Sequence, residues 1–180
     1  MGNGIQTHQP PAIVQPRTTR RRTKRKEAVP YENATSGVNA QAETKKFLHR
    51  IGCAEIGFMD KYETDELLLY FKHRGLEFHR YASAKGWARM WLRKNPYTAH
   101  TRRSRHDYEQ DALRRGRIAV SSLIRDWVKG QVTQIESGMV SVEEAFMPYM
   151  LTHDGRRLIE RVQELLPKPT DEKIIALPSR

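Results

Sequence analysis

The chain has one cysteine, Cys53, so it forms no internal disulfide and has no cysteine set to hold zinc. Long apolar runs are missing as well. No stretch approaches the roughly 20 consecutive apolar residues that span a bilayer, and the first residues lack the apolar segment of a secretory signal. After Met1-Gly2, a myristoylation motif needs Ser or Thr where this chain has Gln6. Export and membrane anchoring are therefore not expected, and an intracellular location is. No glycine-rich phosphate loop is present. Seven histidines occur, but His49, His73, His79, His100, His106 and His153 show no i, i+4 pairing on any predicted helix, and Cys53 has no histidine within its own element. Neither a metal centre nor a nucleophile pair is legible, so the expected protein is non-catalytic and uses no cofactor.

What the sequence does have is positive charge, unevenly placed. The net charge is +11 over 180 residues, with 32 Lys and Arg against 21 Asp and Glu. Residues 17–26 carry seven basic and no acidic side chains, and residues 79–117 carry eleven against three. The remainder is slightly acidic. A localised footprint of this kind points to a polyanionic partner rather than to a general drift in composition.

One domain with tails fits the length. Residues 1–38 contain Pro10, Pro11, Pro16 and Pro30 and little apolar periodicity, and read as a disordered basic arm. Residues 39–167 read as a single α+β domain, and residues 168–180 as a flexible tail. Within the domain, Ala42, Phe47, Leu48 and Ile51 lie on one face of a first helix that Gly52 ends. Three strands follow, over about 54–59, 66–72 and 76–81, the last two joined by Arg74-Gly75, and form an antiparallel β-meander. Ser83 then caps a helix with Ala84, Trp87, Ala88, Trp91 and Leu92 on its apolar face, ending at Asn95-Pro96. A long amphipathic helix is predicted over 106–137, with Gly116 and Gly130 as candidate bends. Ser141 and Glu144 form a capping box for a short helix, and Leu158, Ile159, Val162, Leu165 and Leu166 mark a last one.

Several local patterns occur in a fixed order: Gly57-Phe58-Met59, Leu69-Tyr70-Phe71 with His73-Arg74-Gly75, and Ile135-Glu136-Ser137-Gly138. They continue with Val142 to Phe146, Pro148-Tyr149 and Asp154-Gly155-Arg156. In this order the stretch from about Glu43 to Arg161 resembles a family of small uncharacterised proteins of tailed bacteriophages and prophages. The resemblance implies a phage or prophage origin and a host-cytoplasmic location, and it brings no catalytic residue. One departure follows the third strand, where Tyr81-Ala82-Ser83-Ala84 replaces the Leu-Pro pairs usual in such proteins. A β-meander followed by a long helix is also similar in architecture to phage single-strand annealing proteins.

The expected partner is nucleic acid, DNA before RNA, bound mainly through charge with little sequence readout. In the arm, Arg17, Arg20, Arg21, Arg22, Lys24, Arg25 and Lys26 are candidate phosphate contacts. In the domain the candidates are Lys85, Arg89, Arg93, Lys94, Arg102, Arg103, Arg105, Arg114, Arg115 and Arg117. Trp87 and Trp91 are assigned to the core. Tyr97, after a helix-ending proline in a basic loop with no apolar neighbour in sequence, is the candidate for base stacking. The alternative is an interaction or structural phage protein binding an acidic host or phage partner, and a homo-oligomer is compatible with either. Lys173-Ile174-Ile175-Ala176-Leu177-Pro178 is a short apolar island inside a polar tail, expected to fold back onto the domain or else to dock on a partner.

Overall fold

The computed structural model describes Met1 and residues 28–98 and 100–166. The fold is α+β. Its elements are α1 (Gly37–Arg50), β1 (Glu55–Lys61), β2 (Glu66–His73), β3 (Leu76–Ser83), α2 (Ala84–Lys94), α3 (Arg105–Glu136), α4 (Val142–Phe146), a 3₁₀ turn (Met147–Tyr149) and α5 (Leu158–Leu165). The strands form one antiparallel sheet in the order β1-β2-β3.

Pairing follows from side-chain alternation and one tight turn. His73 faces Leu76 across the two-residue loop Arg74-Gly75, whose φ values are 47° and 83°. Two positive φ values in succession are the requirement of a turn whose twist matches the strands, and glycine meets it without a Cβ penalty. The register then puts Phe71 opposite Phe78 on one side and Ile56 on the other, with Leu69 opposite Phe58. These residues share the face that meets the helices. Phe71 and Phe78 stack with centroids 4.9 Å apart, and Phe146 of α4 meets both edge-on. The free edge of β3 is partly covered: Leu151 donates its N–H to the Glu77 carbonyl at 2.7 Å, and Met150 bridges Phe78.

Helix α3 is the spine. Both α1 and α2 lie along it, and it also touches the sheet. Close approach from two sides explains why its buried residues include Ala112, Gly116, Ala119, Ser121 and Ser122 beside Ile124, Val128 and Val132. Gly116, expected as a bend, lies inside this unbroken helix and serves as a contact point. A Cβ built there would stand 2.6 Å from the Ala84 carbonyl oxygen at the start of α2. The other candidate bend, Gly130, faces open space.

The amino-terminal boundary of the domain lies earlier than the expected residue 39. Residues 28–36 form a hook against α2. Val29 is buried, the Pro30 carbonyl accepts the Trp87 indole N–H at 2.9 Å, and Glu32 accepts that of Trp91 at 2.8 Å. The same carboxylate accepts the Val29 N–H at 3.2 Å, closing the hook on itself. Proline content concealed this segment, although two indole donors on a buried face already required acceptors from somewhere. The basic part of the arm, residues 17–26, and the tail 168–180 lie outside the described residues.

Two stability tests follow. Gly116→Ala is expected to destabilise by about 1–3 kcal/mol, because backbone has to move to admit the methyl. Gly130→Ala is expected to be neutral or to stabilise by up to about 1 kcal/mol through helix propensity, both read by urea denaturation. Removing residues 1–36 is expected to lower the melting temperature by several degrees more than removing residues 1–27, since only the longer deletion strips the partners of both indoles.

Candidate nucleic-acid interface

Helix α2 starts at Ser83, whose hydroxyl accepts the Gly86 N–H at 3.1 Å, and its two faces differ sharply. Trp87, Ala88 and Trp91 are buried. Lys85, Arg89 and Arg93 recur every four residues on the opposite side, and all three are exposed. At about 6 Å of rise per step they form a row of cations along one turn after another. No hydrogen bond or ion pair ties any of the three to another described residue. Lys94 is half-buried at the end of the helix.

The arginines of the connection and of α3 are placed differently. Asp111, whose side chain is only one-tenth exposed, pairs with Arg103 at 3.5 Å, with Arg115 at 3.0 Å and with Arg114. The bond from Arg114 first, and then that from Arg115, hold its carboxyl below the ordinary carboxylate range. Arg115 also lies 5.5 Å from the centroid of the Trp91 ring. Arg105 pairs with Glu109 at 3.0 Å, and Arg117 reaches Asp65 at 2.9 Å while lying over Tyr62. Arg102 is exposed and unpaired among the described residues. Five of the arginines that the sequence assigned to this region are thus already paired, although they share three carboxylates.

Tyr97 is not the isolated loop residue expected. Its ring meets Tyr108 edge-on at 5.8 Å, Tyr108 in turn meets Trp91 at 5.4 Å, and the Tyr97 hydroxyl donates to the Arg103 carbonyl at 2.9 Å. Tyr108 donates to the Asn95 carbonyl at 3.0 Å. The aromatic series pins the connection to α2. Tyr97 is still 40% exposed, so part of the residue meets solvent.

A second basic cluster escaped the sequence reading because residues 27–78 are acidic in sum. Lys45, Lys46, His49 and Arg50 of α1 surround a hollow floored by Ala54 and Ile56. Arg50 is engaged by Glu136, with Nε at 2.9 Å. The signal was available in the Lys45-Lys46 and His49-Arg50 pairs of the predicted first helix.

Chemistry of other kinds finds little to work with. Among the described residues no three His, Cys, Asp or Glu side chains come together as a metal site. Cys53 is buried, and burial pushes its thiol up to about 11, which keeps it protonated at neutral pH. His73 is buried with Nδ1 4.0 Å from Glu143, beyond hydrogen-bond distance. His79 sits between Tyr70 and Tyr81, and burial lowers its pKa. No described helix is long and apolar enough to cross a membrane.

Comparison of the chain with protein-family models, with curated proteins and with solved structures finds no match to any of them.

The Asp111 cluster makes a signed prediction. A carboxyl lowered in the folded state adds stability that is fully present above its ordinary pKa and is lost as pH falls through the lowered value. Wild type is therefore expected to exceed Asp111→Asn in stability at pH 7. The difference should shrink on acidification below about pH 4, as measured by urea midpoints across pH.

Proposed function

We propose that the protein is a nucleic-acid-binding accessory protein of a phage or prophage, acting in the host cytoplasm without catalysis. It binds DNA through phosphate contacts with little base readout. The observation that carries this reading is the row Lys85, Arg89 and Arg93. These are outward cations with no counter-ion among the described residues, on a helix whose aromatic side chains are all buried. Cations without partners contribute full counterion release on meeting phosphates, whereas Arg103, Arg114 and Arg115 must first give up Asp111. Arg102 and the exposed part of Tyr97 extend the row beyond Pro96, and stacking on Tyr97 favours single strands over duplex. The basic run of residues 17–26 adds an unspecific electrostatic contribution. A role in DNA replication, recombination or transcription, strand annealing included, fits the same chemistry.

The other reading, an acidic protein partner, uses the same cationic row without the aromatic ring. The two separate on one measurement. Replacing Lys85, Arg89 and Arg93 by Ala is expected to weaken binding to a single-stranded oligonucleotide and to flatten the slope of log affinity against log salt by about two. Replacing Arg114 and Arg115 is expected to change the slope by less than half as much. Fluorescence anisotropy over a salt series reads both, and an unchanged slope in the triple variant removes α2 from the interface. Absence of any oligonucleotide binding by the intact protein favours the protein-partner reading.

A further inference from the structure

Between α2, α3 and β3 runs an open groove of about 510 Å³. Its walls are apolar, with Trp87 and Met90 from α2 and Val120, Leu123, Ile124 and Trp127 from α3. The α3 residues fall at i, i+3, i+4 and i+7, one continuous helix face. Leu123 is 37% exposed, so part of that face is in contact with water.

Arg80 of β3 stands in the wall of the groove. Its guanidinium carbon lies 5.4 Å from the centroid of the Trp127 ring and 4.8 Å from that of Tyr149. Arg80 is half-buried, and no carboxylate or hydrogen-bond acceptor among the described residues pairs with it. Two rings hold the cation in place while its five N–H donors stay unspent. The groove is therefore shaped for a ligand with an apolar body and an acidic end. Met90, Val120, Leu123 and Ile124 in its walls suit aliphatic side chains better than nucleobases, which stack on open ring faces. The ring of Trp127 is already flanked by Arg80, Phe146 and Tyr149.

We propose that residues 171–177 of the same chain occupy this groove, with Ile174, Ile175 and Leu177 against its walls and Asp171 or Glu172 on Arg80. That segment places an acidic dipeptide, followed by Lys173, ahead of an apolar run, so an acidic end and an apolar body occur together. Arg157, just before α5, lies over the Tyr81 ring, on the face of β3 turned away from Arg80, so the segment has to pass the free edge of that strand to enter the groove. The chain from Leu166 to Asp171 spans up to about 17 Å when extended. The competing surface is the exposed stripe of Val162, Leu165 and Leu166. Its neighbouring cations are already spent, Arg156 on Glu164, Arg157 on Glu160 and Arg161 on Asp154, so it offers nothing to the acidic pair. The proposal does not depend on the nucleic-acid reading.

The test uses the full chain carrying Ile174→Glu and Ile175→Glu, isotope-labelled and titrated with a synthetic peptide of residues 170–180 of the wild-type sequence. Saturable NMR shifts are expected at Leu123, Gly86 and the indoles of Trp87 and Trp127. Adding either Arg80→Gln or Leu123→Glu to that chain is expected to weaken the peptide at least tenfold. Leu123→Glu changes a partly exposed position, and it keeps the test informative if Arg80→Gln impairs folding. In the wild-type chain the same signals are expected at their peptide-bound positions, unmoved by added peptide. The proposal is overturned by no shifts, by shifts confined to Val162 and Leu165, or by affinity indifferent to both groove variants. A wild-type dimer that the Glu substitutions convert to monomer also overturns it, because the segment would then come from a second copy.

Discussion

The seating of α2 on α3 decides how the rest of this molecule presents itself. At Gly116 the two backbones come so near that the carbonyl of Ala84 fills the space of a side chain. That approach brings Trp87 and Trp91 into the core, and burying an indole is favourable only if its N–H finds an acceptor. The acceptors come from the hook, through the carbonyl of Pro30 and the carboxylate of Glu32. One geometric constraint thus fixes the helix, orders the segment ahead of α1, and turns Lys85, Arg89 and Arg93 outward.

The same contact sorts the positive charge into two kinds. Asp111 stands near the junction of the connection with α3 and gathers Arg103, Arg114 and Arg115 around a mostly buried carboxylate. Those arginines brace the loop as much as they charge the surface, and Arg115 also covers the Trp91 ring. One carboxylate cancels only one of those three charges, so the cluster keeps a positive field while its arginines are held in fixed pairs. Among the cations with no carboxylate partner in the described residues are Lys85, Arg89 and Arg93 of α2 and Arg102 of the connection. Arg80 is a different case, a cation held by rings in place of a carboxylate.

Much of the architecture was legible from local signals. Alternation in Leu67, Leu69 and Phe71, the Arg74-Gly75 turn, the Ser83 cap and the Ser141-Glu144 capping box all reappear with the predicted partners. Strand ends moved by only a residue or two, because strands fade where pairing rather than side-chain character stops. The hook at residues 28–36 was not legible, since its order comes from two side chains nearly sixty residues away and not from any periodicity of its own. Nor was the pairing of Met150 and Leu151 with β3. Tyr97 looked unsupported because its neighbour in space, Tyr108, belongs to the next helix.

By itself the sequence determined the α+β class, the order of the elements, the burial of Trp87 and Trp91 and the total of positive charge. Each of these depends on periodicity, turn chemistry or composition, which act over a few residues or over the whole chain at once. Only the tertiary structure decided which cations remain available. Whether an arginine is free depends on which carboxylate it meets, as Arg117 meets Asp65 across 52 positions of sequence, and such meetings are fixed by the packing of helices against a sheet. Lys85, Arg89 and Arg93, with no counter-ion among the described residues, and the ring-held Arg80 are therefore properties of the fold, built from residues that look no different in the sequence from their paired neighbours.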